Sequence, residues 1–392
     1  MEFIGEHDVV IDDDTIVEIT SHYQGQADHE IDARDAFVVP GLIDAHVHLR
    51  LATMDFRALA TMSEVEFGIR MAALAEATLQ RGFTSVRDLG GDLRGFIAAC
   101  RRRTARSPRI FRAGRMISQT GGHGDVEGGL REIPSCACSM RSTVFGVVAD
   151  GADAVRSAAR HNLRDGSDFL KVHVSGGVAS PSDPLESVQY TEAELVAAVT
   201  EAAHRGTYVA AHAYTPPAIQ QAIRAGVHSI EHGNMLDDAT AAEMAQAGAI
   251  LVPTLATYEA MDQMGAKLGL PAVNQEKNSA VYAAGLQSLE IARRHGVTIG
   301  LGTDLIGETQ DRQNRELLIR SEVEPTVDIL RSMWQVNPRL LHLEGKIGTV
   351  SVGALADVVV SGVNPLESLP AFADPARAFH HIIRNGELVK TN

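Results

Sequence analysis

RGTYVAAHAYTPPAIQQAIRAGVHSIEHGN, residues 205–234, holds the pattern that decides the fold. A glycine at 206 opens a short run that is apolar on both faces. An alanine-rich helical segment follows, a second glycine comes at 226, and another short apolar run begins at once. Glycine just past a helix end is expected, because that position usually adopts a left-handed backbone. Strands apolar on both faces belong to parallel sheets covered by helices. The same unit recurs at LQRG-FTSV (Gly82), LRDG-SDFLKV (Gly166), AQAG-AILVP (Gly248) and RRHG-VTIG (Gly296). Adding LIDAHVH near residue 45 and RIFRAG near 110 gives eight strands separated by helices, the signature of a (β/α)8 TIM-type barrel in the α/β class. A doubly wound open sheet is the competing fold, but no GxGxxG follows the first strand.

The two ends of the chain read differently. DVVIDDDTIVEIT (8–20) alternates apolar and polar residues, GTVSVGALADVVV (348–360) holds two short apolar runs, and FHHIIRNGELV looks like a hairpin turning at Asn385-Gly386. These stretches predict a small β-sandwich module built from residues 1–40 and 348–392, around a barrel spanning 41–347.

Composition bounds the function. With 35 basic and 50 acidic side chains the formal net charge is −15, which argues against nucleic acid or an anionic membrane as the main partner. The longest apolar runs, such as GAILVP at 248–253, fall far short of a membrane span. The N-terminus MEFIGEHDVV lacks the basic and apolar regions of a signal peptide. Three cysteines (Cys100, Cys136, Cys138) cannot all pair within one chain, so a reducing cytoplasm is the expected location. Alanine-rich helical faces leave homo-oligomerisation open.

Position singles out a few polar residues. His46 and His48 share a face at the end of strand one, Lys171 lies within strand four, His212 ends strand five, His232 ends strand six and Asp304 ends strand eight. All six fall at the C-terminal strand ends, where barrel active sites are built. Histidine and carboxylate suit a divalent transition metal. Singly each has an ordinary explanation: Asp304 as a helix N-cap, Lys171 as a snorkelling side chain. Jointly they point to a metal site. A buried ammonium beside cations would be unfavourable, but carboxylation by carbon dioxide would make Lys171 an anionic ligand able to bridge two of them.

The segments VVPGLIDAHVHLR, DFLKVHVSGG, HAYTPPAI, SIEHGN and GLGTDLIGE resemble the metal-ligand segments of the amidohydrolase superfamily, and GALADVVVSGVNPL resembles its closing β-module. The resemblance is to the binuclear subgroup with a carboxylated lysine. It implies two divalent metal ions, zinc first among the candidates. His46, His48 and Asp304 would hold one, His212 and His232 the other, with N6-carboxylated Lys171 bridging.

ISQTGGHGD, SGGVASPSDP and AHAYTPP are most similar to the amidohydrolase-type Xaa-Pro dipeptidases. By that resemblance His123 and Tyr214 look toward the substrate. The implied activity is hydrolysis of C-terminal amide bonds in dipeptides, favouring Xaa-Pro and N-acyl-proline, by hydroxide bridging two metals. His123 or Tyr214 would stabilise the oxyanion, and Asp304 would serve as base and then acid.

Several alternatives keep part of this reading. An N-acyl or aryl amino acid amidohydrolase acting on xenobiotic or toxin amides, or a carboxypeptidase for other C-terminal residues, would share the chemistry. A mononuclear deaminase would lack Lys171, and a catalytically dead scaffold would lack ligands. His173 shares the Lys171 face and either points into the site or packs structurally. Arg87 and Asp88 read as a supporting pair at the end of strand two. Arg101-Arg102-Arg103 reads as a solvated helix end, and the C-A-C pair of Cys136 and Cys138 as chance.

Overall fold

The structure is a computed structural model that describes residues 3–125, 141–142, 146–180 and 183–391. Eight parallel strands form the barrel: Leu42–Val47, Phe83–Asp88, Arg109–Arg112, Leu170–His173, Val209–Ala213, Ser229–His232, Ile250–Val252 and Thr298–Ile299. The third continues, after a break around Gly114 (φ 76°), as Met116–Ser118, which pairs with the fourth through Ile117 and Val172. The last strand closes on the first, with Ala45 N–H donating to Leu301 C=O (2.8 Å) and Asp304 N–H to His46 C=O (2.8 Å).

Helices cover the outside for the reason the sequence pattern suggests. In Ala152–Arg164 the residues Val155, Ala158, Ala159, Asn162 and Leu163 are buried, an i, i+3, i+4 stripe against the sheet. Helix Glu192–His204 begins with a reciprocal capping box between Thr191 and Glu194. The glycines expected past helix ends take the left-handed backbone, as at Gly206 (φ 68°) and Gly248 (φ 67°).

Both termini build the antiparallel module. Phe37–Pro40 pairs with Val358–Ser361, which pairs with Phe379–Arg384, which turns at Asn385 and Gly386 into Glu387–Thr391. Both turn residues have positive φ (56° and 74°), as a type I′ hairpin requires. A second hairpin, Asp8–Asp12 with Thr15–Thr20, joins through Thr15 and Leu355. Ile16, Ala354, Ala356, Val358 and Ile383 fill the space between the two sheets. Phe379 and Ile382 face the other way and share a core with barrel residues Leu42 and Phe83. The fold is thus an α/β TIM-type barrel carrying an antiparallel module drawn from both ends. No described helix is long and apolar enough to cross a membrane.

Candidate metal centre and substrate cleft

At the C-terminal mouth of the barrel, His46, His48, Lys171, His212, His232, Asp304, His123 and Tyr214 all line one cleft. His173 lines it too, together with Tyr258, Met116, Met261 and Ile306. The period-two geometry of strand four explains His173: it stands on the same face as Lys171, two residues on.

The donor atoms of His46, His232 and Asp304 converge within 4.8 Å of one another and could hold a metal ion. The structure therefore draws together members of both expected ligand sets. Asp304 Oδ1 lies 3.2 Å from His48 Nε2 and 3.4 Å from His46 Nε2. Ring centroids of His46 and His232 are 5.0 Å apart, and those of His212 and His232 4.6 Å.

The far side of three of these imidazoles is fixed by the protein. His46 Nδ1 donates to Glu231 Oε2 (2.8 Å), leaving Nε2 for the cleft. His232 Nδ1 is engaged by Thr254 Oγ1 (2.7 Å) and Tyr258 Oη (3.0 Å). His212 Nε2 donates to the Gly176 carbonyl (3.0 Å), which leaves its Nδ1 lone pair free. Such outer partners set which nitrogen can bind a metal.

Electrostatics favour the same outcome. Burial holds His46, His173, His212 and His232 well below the ordinary histidine range, so each imidazole stays neutral with a lone pair to give. Burial pushes Lys171 down to about 8, against the pull of Glu231 and Asp304. Burial by itself would raise the Asp304 carboxyl, but His46 and His48 outweigh it and keep the group below the usual carboxylate range. Asp304 (φ 52°) and His232 (φ 76°) also hold left-handed backbones, which costs each about 1–3 kcal/mol and is typical of functional positions. These neutral imidazoles, one depressed carboxylate and one amine near neutrality suit divalent cations.

His123 stacks on His212 (centroids 4.3 Å, 16° between planes) and donates from Nδ1 to Asp183 (3.1 Å). Its ring lies over Gly177, where a Cβ would stand 2.2 Å from Cε1. That close approach accounts for glycine in the SGGV segment. Tyr214 Oη and Tyr258 Oη are 2.7 Å apart. Burial pushes both phenols up, so both stay protonated.

Arg87 and Asp88 are not a pair. Consecutive strand residues face opposite sides. Arg87 points into the barrel, fully buried, with Nη2 2.7 Å and 2.8 Å from the Glu231 oxygens and Nε donating to Ala45 C=O. Asp88 accepts from the N–H groups of Leu49 and Gly90. Arg101, Arg102 and Arg103 are exposed at a helix end, as expected. Cys136 and Cys138 lie outside the described residues. Glu231 and Tyr258 were missed from sequence. A charged residue inside the buried run SIEH could have flagged the first, but nothing local marks the second.

A neutral-histidine and carboxylate cluster at the mouth of a (β/α)8 barrel defines a hydrolase with a metal-type centre. The chain belongs to the amidohydrolase family, whose model matches residues 37–389. It is similar to a prolidase solved with N-methylphosphonate-L-proline (41% identity, TM-score 0.93, covering 98% of this chain and 95% of that one). It is also similar to a Xaa-Pro dipeptidase solved with methionine in its active site (29%, TM-score 0.85, covering 97% and 94%). Among curated proteins it is 29% identical to ochratoxinase of Aspergillus niger over 364 residues, 90% of this chain and 75% of that protein.

Proposed function

We propose that the protein hydrolyses C-terminal amide bonds in dipeptides, favouring Xaa-Pro and N-acyl-proline. The observation that carries this is the single cleft holding all eight expected residues, in a chain 41% identical to a prolidase solved with a proline phosphonate. The barrel, 41–347, carries the chemistry, and the module of 1–40 and 348–392 supports it.

Two divalent ions, zinc first among them, would be held by His46, His48, His212, His232 and Asp304, with carboxylated Lys171 between them, and would supply Lewis acidity toward a water and the scissile carbonyl. Carboxylation needs the neutral amine, and burial brings Lys171 to a pKa of about 8, where that form is accessible. Asp304, poised among the imidazoles, takes the proton from the attacking water. It then delivers that proton to the leaving nitrogen, which in a prolyl amide is a secondary amine. Tyr214, or His123 when both its ring nitrogens carry protons, donates a hydrogen bond to the developing oxyanion or the substrate carbonyl. The substrate is a small molecule; the expected setting is the cytoplasm, and self-association stays open.

A second reading, hydrolysis of a bulky N-acyl or aryl amino acid amide of the toxin type, draws support from the similarity to ochratoxinase. Hydrolysis rates of zinc-loaded protein on Xaa-Pro dipeptides and N-acyl-prolines, beside dipeptides ending in leucine, phenylalanine or arginine, separate the two. A clear preference for proline endings is expected. Turnover of the others with proline rejected would move the assignment to the second reading or to a carboxypeptidase.

A further inference from the structure

Tyr258 lines the cleft yet has no part in the chemistry above. It sits on helix Leu255–Met264, after strand seven, and is 1% exposed. Its hydroxyl lies 3.0 Å from His232 Nδ1, 3.5 Å from Thr254 Oγ1 and 2.7 Å from Tyr214 Oη.

A phenol has one proton to give and two lone pairs. If His232 holds a cation through Nε2, its proton must sit on Nδ1, because a coordinating nitrogen gives up its lone pair. That Nδ1–H then donates toward Thr254 and Tyr258. Tyr258 accepts from that side, so its own proton goes to Tyr214. With Tyr258 donating across the 2.7 Å contact, Tyr214 accepts there and does not spend its own proton on Tyr258. Its remaining proton meets no acceptor among the described residues and is free for an oxygen in the cleft. The opposite tautomer, with Tyr258 donating to Nδ1, would reverse the chain, and Tyr214 would spend its proton on Tyr258.

We infer that Tyr258 is a positioning residue: it relays the tautomer of His232 to Tyr214 and fixes Tyr214 as a donor toward substrate oxygen. The inference rests on the metal-holding role proposed for His232 and adds to it a direction of donation that ligand identity by itself does not give. Tyr214 is thereby matched to a substrate group that only accepts, such as an oxyanion or carboxylate, and mismatched to one that must donate.

A double-mutant cycle tests this. Tyr258→Phe, Tyr214→Phe and the double variant are compared for kcat and KM on the best amide substrate. Calorimetric affinity for a phosphonate analogue of an N-acyl-proline, metal content and thermal melting are measured beside them. Tyr214→Phe is expected to lower kcat on the order of a hundredfold, and Tyr258→Phe about tenfold, one hydrogen bond's worth, with KM and metal content held. Analogue affinity should weaken in parallel. In the Tyr214→Phe background the second change should cost nothing further, since Tyr258 acts through Tyr214. Additive losses, or Tyr258→Phe at wild-type kcat and affinity, would overturn the relay. Wild-type protein that takes up no divalent ion would instead overturn the proposed function on which it rests.

Discussion

Asp304 lines the cleft with its side chain 15% exposed, and its carboxyl stays below the usual range because His46 and His48 stand within 3.2–3.4 Å of Oδ1. A base that is ionised and close to the ligand cluster is what proton shuttling to a leaving amine requires. Asp304→Asn keeps the shape and removes the proton acceptor. Its kcat is expected to fall about 10²- to 10⁴-fold with metal content retained; near wild-type turnover at full metal occupancy would show that another group moves the proton. Lys171 makes the complementary case. It is 2% exposed and forms no ion pair among the described residues, an unfavourable place for an ammonium. Lys171→Ala is expected to lose most bound metal and activity, and added short-chain carboxylates should restore part of both by supplying the missing oxygens. A Lys171→Ala protein with wild-type metal content and rate would remove the lysine from the centre.

Single strands and helices show why the cleft was largely legible in the sequence. Six of the eight barrel strands follow a helix that ends in a glycine, so the strand ends could be located and His46, His212, His232 and Asp304 read as neighbours although up to 258 positions separate them. The local rule worked because strand period and helix cap are properties of a few adjacent residues. Tyr258 escaped because its meaning lies in contacts 26 and 44 residues away, and its own stretch, LATYEAM, is an unremarkable buried helix. Arg87 and Glu231 escaped in part because a pair that crosses the barrel interior leaves no spacing signal. The hairpin at Asn385-Gly386, by contrast, was readable from two residues. Its first strand begins with Phe379, wholly buried against Phe372 (centroids 5.1 Å) and wedged on the barrel core. Phe379→Ala is expected to cost about 3–5 kcal/mol in chemical denaturation. A loss below 1 kcal/mol would mean that the module contributes little to holding the barrel.

Across the whole molecule, stability should carry a pH signature from buried carboxyls. Glu316, fully buried with one oxygen accepting from Ala256 N–H and the other unpartnered among the described residues, is pushed by burial up to about 8, despite Arg320 nearby. A carboxyl whose folded pKa exceeds its unfolded one binds its proton more tightly in the native state. Its contribution is therefore complete below about 4.5 and lost as pH rises toward about 8. Glu316→Gln mimics the protonated form. The melting temperature of the wild type is expected to fall relative to this variant between pH 5 and 8, and a constant difference across that window would refute the shift. The same barrel presents one mouth in which every expected ligand gathers, and the central claim is that this mouth is a two-metal hydrolytic centre. Plasma emission counting of divalent ions on purified, zinc-loaded wild-type protein tests it most directly. About two ions per chain are predicted; a chain that retains none would contradict the claim.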